Sequence, residues 1–237
     1  MTTKTALITG ASRGLGLALA EALAARGWNL IIDARGETAL TAVSHTLSHQ
    51  TNVTAIVGDV TSGSHQQALA VAARAAGGLD LVINNASILG PSPQPALLKY
   101  PLEHLAQVYE VNVLAPLALL QAVAPYLNRE ATIINISSDA AVEAYEGWGG
   151  YGSSKAALEQ LTAVLAAENP QFHIYWVDPG DMRTQMHQEA FPGEDISDRP
   201  LPEASVPGFL ALIDGYLPNG RYQARALPVS ASVQGTR

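Results

Sequence analysis

Apolar residues arrive along this chain in short bursts broken by Gly, Pro and Asn, not in long runs. The bursts "TALIT" (5–9), "NLIID" (29–33), "VTAIV" (53–57), "LDLVIN" (79–84), "ATIINIS" (131–137) and "FHIYWV" (172–177) are β-branched or Leu-rich, which suits parallel strands buried on both faces. Between them lie segments 15–27, 36–49, 64–77 and 101–127, followed by 151–168 and a last stretch near 203–217. Ala, Leu, Glu and Gln there favour helix. Strands alternating with helices require crossover connections, so the pattern predicts an α/β fold with a doubly wound parallel sheet covered on both faces. We expect a single domain over residues 1–237.

The rhythm breaks between 180 and 207, where Pro192, Pro200, Pro202 and Pro207 mix with Glu189, Glu194, Asp195 and Asp198. Irregular segments of that length are functional covers or disordered chain, and we expect a substrate lid. Composition narrows the rest. With 237 residues and 48% hydrophobic content the chain can bury a full core. It has no cysteine, which excludes disulfides and thiolate nucleophiles or metal ligands. Its formal charge of −8 works against a nucleic-acid partner, whose phosphates call for a positive surface. The longest apolar-rich stretch, "VNVLAPLALLQAVAP", is interrupted by Asn112, Pro116 and Gln121 and is too short to span a bilayer. "MTTKTALITG" holds no secretory apolar core. The expectation is a cytoplasmic protein with no membrane partner. Histidines 45, 49, 65, 104, 173 and 187 show no spacing suited to a metal, and none is expected.

Directly after the first strand comes "TGASRGLGLALAEALA", with Gly10, Gly14 and Gly16 ahead of an Ala-rich helix. Glycines in that place let the backbone turn sharply and approach a pyrophosphate, which the free N–H groups of the helix start would receive. Further along, "YGSSK" puts Tyr151 and Lys155 four positions apart, on one face of a helix. The glycine spacing and this pair resemble the short-chain dehydrogenase/reductase family. The likeness runs through "TGASRGLG" (9–16), "DV" (59–60), "NNAS" (84–87), Asn112, "NISS" (135–138), "YGSSK" (151–155) and "PGDMRT" (179–184), in the family's order. One position departs from it: Ser87 stands where the family usually has Gly, a cost if the backbone there is left-handed.

The resemblance implies a Rossmann-like, compact enzyme that moves a hydride between a nicotinamide dinucleotide and a small-molecule carbonyl or alcohol. It implies cofactor contacts from Gly10, Ser12, Arg13, Gly14, Leu15 and Gly16. Asp59 and Val60 would border the adenine. Asn85, Ala86, Pro179, Gly180 and Thr184 would line the rest, with Tyr151 and Lys155 at the nicotinamide ribose. Aligning Gly27 with the family's glycine before the second strand puts Ala34 at the usual aspartate position and Arg35 next to it. An arginine there pairs with a 2′-phosphate through charge-assisted bonds of roughly 1.5–3 kcal/mol, so NADP(H) is favoured. A register one residue different makes Asp33 the ribose ligand and NAD(H) the cofactor.

Carbonyl reduction leaves an alkoxide that needs a proton. A phenol has a reference pKa near 10, and bringing it to about 7.5 takes roughly 3.4 kcal/mol. An ammonium about 4 Å away supplies about 4 kcal/mol at an effective dielectric of ~20, so the sequence predicts that Lys155 lowers the Tyr151 pKa. By resemblance the carbonyl oxygen is held by Ser138, thirteen residues before Tyr151, in preference to Ser137. Asn112 would anchor a water leading from Lys155 to solvent. The alternatives are an NAD(H)-dependent alcohol dehydrogenase of the same family, or a dinucleotide-binding sensor without turnover. Family members form dimers or tetramers through helices corresponding to 101–127 and 151–168, and a homo-oligomer is expected.

Overall fold

The computed structural model describes residues 3–215 and 217–227. Seven strands form one parallel sheet: β1 (Thr5–Ile8), β2 (Asn29–Ala34), β3 (Val53–Val57), β4 (Leu79–Asn84), β5 (Leu127–Ile136), β6 (His173–Asp178) and β7 (Gly220–Gln223). Their order is β3-β2-β1-β4-β5-β6-β7, so the winding direction reverses between β1 and β4. The loops after those two strands part there and open a crevice at the carboxyl edge.

The helices are α1 (Gly14–Ala24), α2 (Glu37–Leu47), α3 (Gly63–Ala75), α4 (Leu102–Tyr109), α5 (Ala115–Val123), α6 (Gly149–Glu168), α7 (Gln185–Ala190) and α8 (Val206–Gly215). Strand alternation decides which core each residue joins. Ile8, Ile32, Ile83 and Ile134 pack with Leu19 and Leu23 of α1 and Phe209 of α8. Leu7, Ile31, Val82 and Ile133, one position away in their strands, pack with Leu69 of α3 and Leu119 and Val123 of α5. This two-sided burial is why the strands read as continuous apolar bursts.

Four boundaries differ from expectation. The helix expected over 101–127 is broken by a π-helical turn at Glu110–Leu114 and ends in a 3-10 turn, Ala124–Tyr126. β5 begins at Leu127, earlier than the apolar run, because Leu127 already pairs with Leu79 before a register shift. The irregular 180–207 stretch contains α7, capped by the Thr184 hydroxyl, which accepts the His187 N–H at 3.2 Å. The helix expected over 203–217 covers Val206–Gly215; Tyr216 lies outside the described residues, as do 1–2 and 228–237 of the expected domain. Among the described residues one stretch, Leu102–Tyr126, is long and apolar enough to cross a membrane. Its Leu119, Leu120 and Val123 are buried in the second core.

Candidate active site

The crevice at the winding reversal is a groove of about 1080 Å³. Gly10, Ser12, Arg13, Gly14, Leu15, Arg35, Asp59, Val60, Asn85, Ala86, Tyr151, Lys155, Pro179 and Thr184 line it, and so does Asp33. Gly16 and Gly180, also expected at the cofactor, are not in its lining. The fit to a dinucleotide is visible in the backbone. A Cβ on Gly16 would meet Asn85 Nδ2 and the Gly10 carbonyl oxygen at 2.5 Å, so the glycine lets helix α1 start hard against the β4 loop. No side chain caps that helix start, which leaves its N–H groups free for an anionic ligand. Asn85 ties the two loops, donating from Nδ2 to the Thr9 and Gly10 carbonyls at 2.8 and 3.1 Å. The Thr9 hydroxyl accepts the Asn85 and Ala86 N–H groups, both at 3.0 Å.

At the end of β2 both residues considered for the adenosine ribose, Asp33 and Arg35, line the groove. Asp33 is fully buried. One carboxylate oxygen accepts the Gly10 N–H at 2.8 Å and the other meets His65 Nε2 at 2.9 Å. Asp33 therefore braces the glycine-rich turn from below, and His65 holds the brace. Sequence reading missed His65; its only signal was a histidine near the start of α3 with a glycine, Gly58, at the end of β3. A Cβ on Gly58 would fall 2.1 Å from the His65 ring. Arg35 is exposed at the groove and, among the described residues, has no hydrogen bond or ion pair. The Asp59 carboxyl is held below its usual range by the Thr61 N–H first, with the Arg35 charge contributing. Arg13 lines the groove, and its guanidinium donates to Gln185 Oε1.

Around Tyr151 the chain brings three of the four expected catalytic residues together. Lys155 Nζ lies 5.5 Å from the centre of the Tyr151 ring and donates to the Ile136 carbonyl at 2.8 Å. Burial, with Asp139 and Asp178, pushes the Tyr151 phenol above its ordinary value and outweighs the neighbouring Ser138 hydroxyl, which pulls it down and itself donates to Asp139 at 2.9 Å. Burial pushes Lys155 down from 10.5 to about 7. The two side chains are neighbours, but the predicted lowering of the phenol by Lys155 is not found, because burial governs its shift. The low-dielectric surroundings that strengthen a charge pair also penalise each charge. Ser137, the other serine considered, spends its hydroxyl on Glu159.

Asn112 sits in the π-helical turn, an irregularity often found at functional sites, and is 1% exposed. Its Oδ1 accepts from the Ser87 hydroxyl and the Ile88 N–H at 3.0 and 2.9 Å. Its Nδ2 donates to the Ile88 carbonyl and to Ser154 Oγ at 2.9 and 3.0 Å. The amide has no donor or acceptor left for a water, so its side chain clamps the 87–88 strand exit to α6 instead. Ser87, the departure from the family pattern, supplies one of those bonds.

Arg221 of β7 is a second missed residue. It donates from Nε to Glu159 at 2.9 Å and from Nη2 to the Ser138 carbonyl at 3.0 Å, with Asp178 at 3.7 Å. Strand end, helix α6 and the 178–180 turn meet on this one guanidinium. Gly180 (φ +72) is required beside it: a Cβ there would lie 1.9 Å from Arg225 Nη2. Arg221→Met removes the cation bonded to Glu159 and leaves Asp178 with Arg225 alone, and is expected to destabilise the fold by about 2 kcal/mol, read by urea unfolding. Among the described residues no group of three or more His, Asp or Glu could hold a metal.

Fold and groove together define a dinucleotide-binding α/β protein with a tyrosine–lysine site. The profile described as short chain dehydrogenase matches residues 4–195. The L-xylo-3-hexulose reductase of Hypocrea jecorina is 35% identical over 214 residues, covering 80% of this chain and 70% of that one. A short chain dehydrogenase from Pseudomonas syringae superposes with a TM-score of 0.88 at 33% identity over 93% and 94% of the two chains. One from Shigella flexneri 2a strain 301, solved in complex with NADP, superposes with a TM-score of 0.86 at 28% identity over 95% and 98%. The chain belongs to the short-chain dehydrogenase/reductase family and is an oxidoreductase of that family, whose fold binds a nicotinamide dinucleotide.

Proposed function

We propose that the protein is an NADP(H)-dependent carbonyl reductase. What carries this reading is that Tyr151 and Lys155 line the same groove as Gly10 and Gly14, with Ser138 beside the Tyr151 phenol. The nicotinamide, when bound, supplies the hydride. Ser138 holds and polarises the carbonyl oxygen. Tyr151, kept as a neutral phenol by burial, gives its hydroxyl proton to that oxygen as negative charge develops there. Lys155, when protonated, stabilises the phenolate left behind and donates to the ribose. Asn112 and Arg221 are positioning residues. The 180–207 segment serves as the lid: Met182, Met186 and Pro202 face the groove.

The cofactor choice rests on the end of β2. Asp33 has both oxygens engaged with protein partners, while Arg35 stands free at the groove, where it would meet a 2′-phosphate. The Shigella flexneri relative's complex with NADP is consistent with this. Fluorescence titration of the wild type is expected to give tighter binding of NADPH than NADH. Arg35→Ala should narrow that preference roughly 10–100-fold with NADH affinity unchanged. Equal affinities in both proteins would turn the assignment to NAD(H). The enzyme works in the cytoplasm on a small-molecule substrate, without nucleic-acid or membrane partners. It pairs with further copies through α4–α6, where Leu102, Leu114 and Val164 are exposed apolar residues.

A further inference from the structure

Each carbonyl reduction leaves Tyr151 without its proton, and the next turnover needs one delivered from solvent to a side chain that is 8% exposed. The route expected through Asn112 is closed. That amide has spent both its donors and both its acceptor sites on Ser87, Ile88 and Ser154. Lys155, 2% exposed and donating to the Ile136 carbonyl at 2.8 Å, has no link to water through it.

A different chain of hydrogen bonds does reach the surface. It starts at Ser138, whose hydroxyl neighbours the Tyr151 phenol and donates to Asp139 Oδ1 at 2.9 Å. The Ala140 N–H donates to Ser138 Oγ at 3.2 Å and to Asp139 Oδ1 at 2.8 Å, which fixes the serine against the carboxylate. The other carboxylate oxygen, Oδ2, accepts from the Tyr145 hydroxyl at 3.0 Å, and the same hydroxyl lies 2.9 Å from Glu143 Oε2. Tyr145 is 43% exposed and Glu143 is on the surface. A phenol has one proton to give. Two carboxylates on it compete for that proton until one brings its own; once Glu143 is protonated, it donates to the Tyr145 oxygen while Tyr145 donates to Asp139.

We propose that Ser138, Asp139, Tyr145 and Glu143 form the relay that returns a proton to Tyr151 after each reduction. The relay presupposes the carbonyl-reductase reading above and adds the step that closes its cycle. Glu143 takes a proton from solvent and passes it to the Tyr145 oxygen as the Tyr145 proton moves to Asp139 Oδ2. The Asp139 carboxyl turns and gives that proton to Ser138 Oγ as the Ser138 proton passes to the Tyr151 phenolate. One proton leaves solvent for each alcohol formed, and every oxygen in the chain returns to its starting state. Asp139, Tyr145 and Glu143 are outside the groove lining and act through Ser138.

Stopped-flow mixing of NADPH-loaded enzyme with butane-2,3-dione separates the first hydride transfer, which uses the proton already on Tyr151, from later ones, which need the relay. Asp139→Asn keeps the side chain's size and an acceptor for the Ser138 hydroxyl but cannot pass a proton. It is expected to show a burst: a first turnover within about twofold of wild type, then a steady state slowed roughly tenfold or more. Tyr145→Phe, a change on an exposed side chain, should give the same burst with a smaller loss of about threefold. Formate, which fits the space of the deleted carboxyl, should restore the steady state of Asp139→Ala.

Absence of a burst in Asp139→Asn, whether both phases slow alike or neither does, overturns the relay, and wild-type reduction of the dione then leaves the carbonyl-reductase reading standing. Formate without effect on Asp139→Ala overturns it too. Wild-type steady-state rates in Tyr145→Phe overturn the outer half of the path. No NADPH oxidation by the wild type overturns the carbonyl-reductase reading, and this inference with it.

Discussion

Tyr151→Phe is expected to lower kcat by roughly 10³-fold, the contribution of a positioned general acid, with the dissociation constant for NADPH nearly unchanged. The ring is 8% exposed and packs with Leu89 and Ala140, so phenylalanine keeps its shape and its place. Only the hydroxyl goes, and with it the proton donor beside Ser138. Since the phenol's pKa is pushed up by burial, the residue is protonated across the neutral range, which is the state reduction needs. Steady-state kinetics combined with a binding titration separates the two effects. A variant that binds NADPH and retains its turnover would remove Tyr151 from the chemistry.

Lys155→Met is expected to lose activity and gain stability. A cation about 5 Å from the phenolate that develops on Tyr151 is worth about 3 kcal/mol at an effective dielectric of ~20, so its loss is expected to slow turnover roughly 100-fold. The stability change has the opposite sign because the lysine is 2% exposed and its pKa falls from 10.5 to about 7. Below about pH 7 the folded protein carries a buried ammonium at full cost. Between about 7 and 10.5 the unfolded chain binds the extra proton, so the wild type becomes more stable as pH rises through that window. The variant's advantage is therefore largest near or below neutrality, on the order of a few kcal/mol, and disappears by about pH 10.5. The same titration predicts that wild-type reduction slows as pH rises past about 7, since the ammonium that supports the phenolate is lost. Urea unfolding and pH–rate profiles of both proteins measure these opposite trends. A variant that is less stable than wild type at pH 7 would contradict the burial cost assigned to Lys155.

Much of this was legible in the sequence because it rests on local pattern. Continuous apolar bursts mark strands buried on both faces, and "TGASRGLG" after the first of them locates the groove. The one strand not anticipated, β7, is four residues long and reads "GRYQ"; it exists through pairing with β6, Tyr175 opposite Gly220, a tertiary cause with no local signal. His65 and Arg221 were invisible for the same reason. Each acts through a partner 32 or more positions away, Asp33 for the first and Glu159 with the Ser138 carbonyl for the second. The sequence could place Lys155 beside Tyr151, but the balance between charge attraction and desolvation depends on burial, which only the folded chain sets.

The most direct test of hydride transfer to a carbonyl is stoichiometric. Purified protein is mixed with NADPH and butane-2,3-dione, and NADPH consumed and hydroxyketone formed are both quantified. One molecule of alcohol per NADPH oxidised, with Tyr151→Phe near background, is the predicted result; tight NADPH binding with neither oxidation nor product would contradict it.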